Sequence, residues 1–464
     1  MLKNTGFLFV LPLLLFANNA YAAYHTVYGK VTYMEKRYNG GGEYNKNSNY
    51  NNNQPLVGIK VKLWDMDGNC VDFLNSCNET DDDLLSETTT NSSGFYYFYN
   101  IGNLEDIYIT TNLETAYSNV MINSTTELVI ASPVKTDFGT GQPTNIRYDW
   151  TVSCSNYWLY PNTSCNSTDA LNTVLDSSQT VSNSEATASA NVTATQLHVE
   201  GKFNSSIFSS DTTNFYILPN NPSSAACMSH CYDDANGDGN PDGNNTALPN
   251  GQDICVCTPY TNHRVAHEIG HSVMMRALGY PGSLSTCLNG HSWSQIDQYE
   301  KCAVSEGWAN FFAAATFFSD TDTSAYYVLA VRNMEGLIDS YYNNGTLKVC
   351  MDRDTSPMDV EGNVSRFFWD LYDSTSVDDT FPVTTGEGDN LNLSMDQLVD
   401  IWREFPSGTD NLEASESGYD GRNIWDYFYH ANAGFSINAG GPILSNCLCY
   451  QNGNYANCAY LNAY

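Results

Sequence analysis

Two histidines four positions apart, His267 and His271, stand inside a run whose apolar residues Val265, Ile269, Val273 and Met274 recur at helical spacing. Thr261 is a cap-competent residue at its start, so the sequence predicts a helix from Thr261 to Leu278. Side chains at i and i+4 on a helix face the same way, and two imidazoles so placed can converge on one metal ion. Glu268 follows the first histidine directly. From there its carboxylate can reach a metal-bound water without being a ligand, which is the placement a general base needs when zinc lowers the water's pKa. A strand is expected at Ile254-Cys255-Val256-Cys257, leading into this helix.

The N-terminus bears on the compartment. Lys3, the apolar stretch Phe7–Phe16 and the small-x-small site Ala20-Tyr21-Ala22 read as a signal peptide over residues 1–22. The apolar stretch is too short to span a bilayer and is interrupted by Pro12, and no later stretch approaches that length. A secreted chain with no membrane insertion is therefore expected. Its 14 cysteines then read as disulfides first. Cys70/Cys77, Cys154/Cys165 and Cys287/Cys302 can each close a short loop, and Cys447, Cys449 and Cys458 crowd the tail, within reach of Cys350. A four-thiolate zinc site at Cys227, Cys231, Cys255 and Cys257 is the weaker reading, because oxidation outside the cytosol competes for thiols. Asn-x-Ser/Thr sequons recur, at Asn78, Asn123, Asn204 and Asn392 among others, and matter only in an organism that glycosylates exported proteins.

A formal charge of −33, from 19 Lys+Arg against 52 Asp+Glu, argues against nucleic acid as a partner, because such a surface repels phosphate backbones. With 42% hydrophobic and 13% aromatic residues the chain has enough apolar surface to fold rather than remain disordered.

From Tyr24 to Leu113 the pattern is that of strands. Val57, Ile59, Val61 and Leu63 alternate with Gly58, Lys60 and Lys62, and the turn Asn91-Ser92-Ser93-Gly94 precedes an aromatic strand, Phe95–Tyr99. The polar Gly/Asn-rich segment Asn39–Gln54 is expected to be a long loop. Gly29–Tyr33, Pro55–Asp65, Asp82–Leu85 and Thr88–Tyr96 resemble the transthyretin-like and carboxypeptidase-regulatory-like domains. That resemblance implies an all-β sandwich over 23–113 with an accessory rather than catalytic role. Residues 114–166 read as a β or irregular connecting region, and 167–464 as the remaining domain.

Within that domain a helix is expected over Ala188–Val199 and a strand over Asn214–Leu218. A polar insertion follows, Asp234-Ala235-Asn236-Gly237-Asp238-Gly239-Asn240-Pro241-Asp242-Gly243. Oxygen side chains at alternate positions, with glycines to turn the chain, suit a hard cation. The segment resembles the Asp-rich loops of dockerin and thrombospondin-type repeats. That implies calcium held by Asp234, Asn236, Asp238, Asn240 and Asp242, stiffening the loop. Asn245 stands where an EF-hand would carry its bidentate Glu, and a solvated acidic turn is the alternative.

Two histidines leave a catalytic zinc one protein ligand short. The metzincin continuation is absent, since Met274 and Ala277 stand where its Gly and His would be. Downstream lies Ser305-Glu306-Gly307-Trp308-Ala309-Asn310-Phe311-Phe312, a helical stretch. The pair of segments resembles the gluzincin, thermolysin-like metallopeptidases. The resemblance implies His267, His271 and Glu306 as zinc ligands and Glu268 as general base. It also places Asn310 where the family has an Asp that holds a zinc histidine. Glu300 is a rival third ligand, lying two turns before Glu306. For the residue that steadies the tetrahedral intermediate, His430 and Tyr372 both come into view and neither is chosen.

Further helices are expected over Ala325–Tyr342, Val364–Tyr372, Met395–Arg403 and Asn423–His430. The fold class expected is a multidomain chain: an N-terminal all-β sandwich, then an α+β zincin-type metallopeptidase domain with a largely α-helical C-terminal lobe. The function implied is peptide-bond hydrolysis by a secreted zinc peptidase, an endopeptidase acting on a protein or peptide substrate. A secreted binding or adhesion protein with a latent peptidase fold is the alternative.

Overall fold

A computed structural model describes residues 24–36, 50–65, 83–102, 107–121, 127, 129–131, 145–147, 149–152, 183–208, 212–217, 254–256, 262–278, 300–321, 325–327, 332–334, 341–343, 346–348, 361–374, 391–404, 427 and 431. The signal-peptide segment, the Asp234–Asp242 loop, the cysteine-rich tail and His430 lie outside these residues.

Strand β1 (His25–Lys36) organises the first sheet. One half of it pairs with β5 (Phe95–Ile101) and β9 (Asn145–Arg147), the other half with β2 (Tyr50–Pro55) and β10 (Trp150–Val152). Alternation sets its faces: Val27 and Val31 are buried, as are Tyr96 and Phe98 opposite them, while Tyr97 and Tyr99 point to solvent. A second sheet has the order β4–β3–β6–β8, formed by β3 (Lys60–Asp65), β4 (Asp83–Thr89), β6 (Ile107–Asn112) and β8 (Val129–Ala131). Its inner residues Val61, Leu63, Ile107 and Ile109 are buried in one core with Val27, Val31 and Phe98.

Three details depart from the sequence reading. Val57 is 37% exposed and Leu56 is buried instead, because Gly58 takes a positive φ of 77° and the alternation restarts at Ile59. The end of the Gly/Asn-rich segment is strand β2, not loop, since pairing with β1 satisfies its backbone despite its polar side chains. The sheets also extend past residue 113: β8, β9 and β10 return to them, and β7 (Ser118–Met121) joins a different sheet.

That third sheet is parallel, ordered β12–β11–β7, with β11 (Thr213–Ile217) between β7 and β12 (Ile254–Val256). Helix α1 (Asn183–Lys202) links the sheets to the helices. Thr193, Leu197 and Glu200 share one of its faces by helical spacing. Thr193 Oγ1 donates to the Leu113 carbonyl at 3.2 Å, Leu197 lies over Gly58, and Glu200 accepts from Thr115 Oγ1. On another face His198 stacks on Phe317 at 5.2 Å and Lys202 Nζ donates to the Phe318 carbonyl.

The helix layer contains α2 (Asn262–Leu278), α3 (Glu300–Phe317), α4 (Glu361–Tyr372) and α5 (Met395–Arg403). Its centre is aromatic, with Trp308, Phe368 and Trp402 buried and their ring centroids 5.1–5.9 Å apart. Helix α5 begins with a capping box in which Ser394 and Gln397 satisfy each other's backbone N–H groups. Among the described residues of 325–342, the expected helix is not formed. Short strands β13 (Tyr326–Tyr327), β14 (Arg332–Asn333) and β15 (Tyr341–Asn343) occupy parts of it, and β15 pairs with β16 (Thr346–Lys348). The β-branched and aromatic residues there favour extended backbone.

Candidate metal centre

Helix α2 is the next described element after β12. Val265, Ile269 and Val273 seat one face in the core, and His267, Glu268 and His271 are also buried, which is unusual for such groups. Burial of this kind needs partners, and α3 supplies them for the two histidines. The two helices run antiparallel: His271 faces Ser305, His267 faces Glu306, and His263 packs on Phe317 further along.

Their close approach has a sequence cause. Gly270 lets the α2 backbone meet α3; a Cβ there would lie 2.8 Å from Phe312 Cβ and 3.1 Å from Ala309 Cα. Trp308 Nε1 donates to the Gly270 carbonyl at 2.9 Å across the same gap. On the far side Gly307 lets α4 approach, since a Cβ there would lie 2.6 Å from Val364.

At this contact two imidazole nitrogens and the two oxygens of one carboxylate meet. His267 Nε2 is 3.2 Å from His271 Nε2 and 3.1 Å from Glu306 Oε2, and His271 Nε2 is 3.6 Å from Glu306 Oε1. Ligand atoms bound at 2.0–2.1 Å around a tetrahedral zinc stand about 3.3 Å apart. The three observed separations bracket that value, and two imidazoles with one carboxylate are a donor set that zinc takes, so these residues fit the ion. The cluster contains Glu306, while Glu300 opens α3 six residues earlier.

Electrostatics favour the ligand form of Glu306. Burial pushes its carboxyl pKa up, but the charge of His271 and the hydrogen bonds of both histidines outweigh burial and hold it well below the usual carboxylate range. It is therefore an anion in the site, as a metal ligand has to be.

Asn310 lies one turn beyond Glu306 and is buried, yet among the described residues neither its Nδ2 nor its Oδ1 has a hydrogen-bond partner. One of the two histidines is instead contacted by Ser305, whose Oγ lies 3.1 Å from His271 Nδ1. Sequence reasoning missed Ser305; its one signal was adjacency to Glu306. Glu268 is buried on α2 beside His267. Tyr372 ends α4, and its ring meets Phe311 at 5.7 Å and Trp369 at 5.7 Å. Burial, followed by the charge of Asp320, pushes its pKa up to about 12. Cys302 is buried and disulfide-bonded.

The fold and site define a chain with a buried pair of helical histidines and a carboxylate from a neighbouring antiparallel helix. Residues 253–433, less than half of the chain, match the family model of the Mycolysin C-terminal domain. That match spans both helices of the site and supports a gluzincin-related, peptidase-type family for this stretch. No curated protein matches the chain. Among solved structures, a putative carbohydrate binding protein from Pseudomonas aeruginosa is 12% identical over 28% of this chain and 89% of its own, with a TM-score of 0.16. A 9R-lipoxygenase from Cyanothece is 13% identical over 38% of this chain and 23% of its own, with a TM-score of 0.17. Likenesses this slight carry no argument about fold or function. Among the described residues no helix is long and apolar enough to cross a membrane.

Proposed function

We propose that this chain is a secreted zinc-dependent peptidase, an all-β sandwich preceding a zincin-type domain, with His267, His271 and Glu306 holding the metal and Glu268 acting as general base. The observation that carries this reading is the convergence of two imidazoles and a carboxylate within 4.8 Å of one another on two antiparallel helices. The family match over the same stretch and the signal-peptide-like N-terminus support it.

Zinc, when bound, supplies a Lewis acid for the scissile carbonyl and a water of lowered pKa. The chain's own residues do the rest. Glu306, held as an anion, and the two imidazoles fix the ligand set within a buried helix pair. Glu268 takes the proton from the attacking water as its oxygen bonds to the carbonyl carbon. It then passes that proton to the amide nitrogen as the C–N bond breaks, so the products are a carboxylic acid and a free amine.

The test is cleavage of a broad peptide library by the secreted protein beside Glu268→Gln, with zinc content measured on both. The expected outcome is zinc in both and a loss of turnover of about 10²–10⁴-fold in the variant. Zinc in both without cleavage by either points to the latent binding protein instead. A natural protein that takes up no zinc under metal-replete conditions would overturn the proposal.

A further inference from the structure

We infer that Ser305 is the positioning residue for His271, and that this histidine is oriented by an uncharged hydroxyl rather than by the side chain one turn beyond Glu306. The inference rests on the zinc reading above. Ser305 Oγ stands 3.1 Å from His271 Nδ1, and both residues are buried, at 6% and 3% exposure, so water does not compete for the contact. Nδ1 lies across the ring from Nε2, the atom that faces His267 and Glu306. A hydroxyl oxygen that accepts from Nδ1–H leaves the Nε2 lone pair directed at the other two donor atoms.

The backbone explains why this residue serves. Ser305 precedes Glu306 on α3, so one turn of helix supplies both a ligand and the support of a neighbouring ligand. The Gly270 contact with Ala309 and Phe312 and the bond from Trp308 to the Gly270 carbonyl fix the register of α2 against α3. Asn310 is buried at 1% exposure, and among the described residues its amide reaches neither histidine. Among the described contacts, the Nδ1 side of His271 meets the Ser305 hydroxyl, which orients the ring.

The test compares Ser305→Thr with Ser305→Val, which share shape and differ in the hydroxyl, so any packing defect from the added methyl group is common to both. Asn310→Leu serves as the control. Zinc dissociation constants are read by competition with a chromophoric chelator, and cobalt-loaded samples are compared by their visible spectra. Ser305→Val should bind zinc about 10–100-fold more weakly than Ser305→Thr and show a shifted cobalt spectrum. Asn310→Leu should retain the zinc affinity of the natural chain. Equal zinc affinity and equal spectra for the Thr and Val variants would overturn the assignment while leaving the peptidase reading intact. A natural chain that binds no zinc would remove both.

Discussion

Asn310 is the residue whose chemistry and surroundings agree least. Its amide is buried and, among the described residues, makes no hydrogen bond. A buried polar group left so costs about 1–3 kcal/mol, whereas an apolar side chain of similar size does not incur that cost. Asn310→Leu is therefore expected to raise stability by about 1 kcal/mol, read as a higher urea midpoint with an unchanged slope. A lower midpoint would show that the amide is satisfied by bound water. The same residue shows how far single positions can be read in advance. His267, Glu268 and His271 were legible because helical spacing alone places two imidazoles on one face. Glu306 needed a resemblance, since 35 residues separate it from His271 and no local periodicity spans that interval. Ser305 carried only its adjacency to Glu306: a serine in a helix has no spacing signal, and its role comes from the antiparallel packing of α2 and α3.

Elements meet here through glycines, and that makes substitution costly in a directional way. A methyl group at Gly270 would sit 2.8 Å from Phe312 Cβ, an atom tied to the α3 backbone that cannot swing aside. Gly270→Ala is therefore expected to destabilise the fold by about 1–3 kcal/mol and to weaken zinc binding as well. Gly307→Ala faces Val364 on α4 at 2.6 Å and should show the stability loss with a smaller effect on zinc. Chemical denaturation together with chelator competition separates the two. Similar zinc affinities in both variants would mean that α3 shifts as a rigid unit.

The α1–α3 contact gives a pH dependence of defined sign. Lys202 donates to the Phe318 carbonyl just past the end of α3; burial lowers its pKa to about 8 from an ordinary 10.5, against the opposing charge of Asp320. A lysine with a depressed folded pKa holds fewer protons when folded than when unfolded across that interval. Its unfavourable contribution is thus fully present below about pH 8 and is relieved as pH rises toward 10.5. Relative to Lys202→Met, the natural chain should gain stability between those values. A flat difference would place the ammonium in solvent. Helices at this scale were legible where periodicity is strong, as in α2 and α5. Residues 325–342 were misread because short paired strands leave too few residues for either period to declare itself.

At the scale of the whole molecule, α1 decides whether the sheets and the helices act as separate units. Its Thr193, Leu197 and Glu200 meet Leu113, Gly58 and Thr115, while His198 and Lys202 meet Thr316 and Phe318. Buried residues run without interruption from Val27 and Phe98 through Val192 and Val199 to Phe312 and Trp402. This continuity was not legible in the sequence, where the β pattern invited a boundary at residue 113. Strand pairing overrides that boundary: β8, β9 and β10 return to the earlier sheets, and β7 is claimed by β11, so the chain crosses between layers several times. Such crossings couple the layers, and two units that share a core unfold together. The expected outcome is one transition, coincident by far-ultraviolet circular dichroism and by tryptophan fluorescence. The fluorescence samples both layers, because Trp308, Trp369 and Trp402 are buried among the helices and Trp64 is buried on β3. Leu197→Glu, which places a charge over Gly58, should lower that single midpoint for both probes rather than split it. Two resolved transitions in the natural chain would show instead that α1 tethers the layers without coupling them.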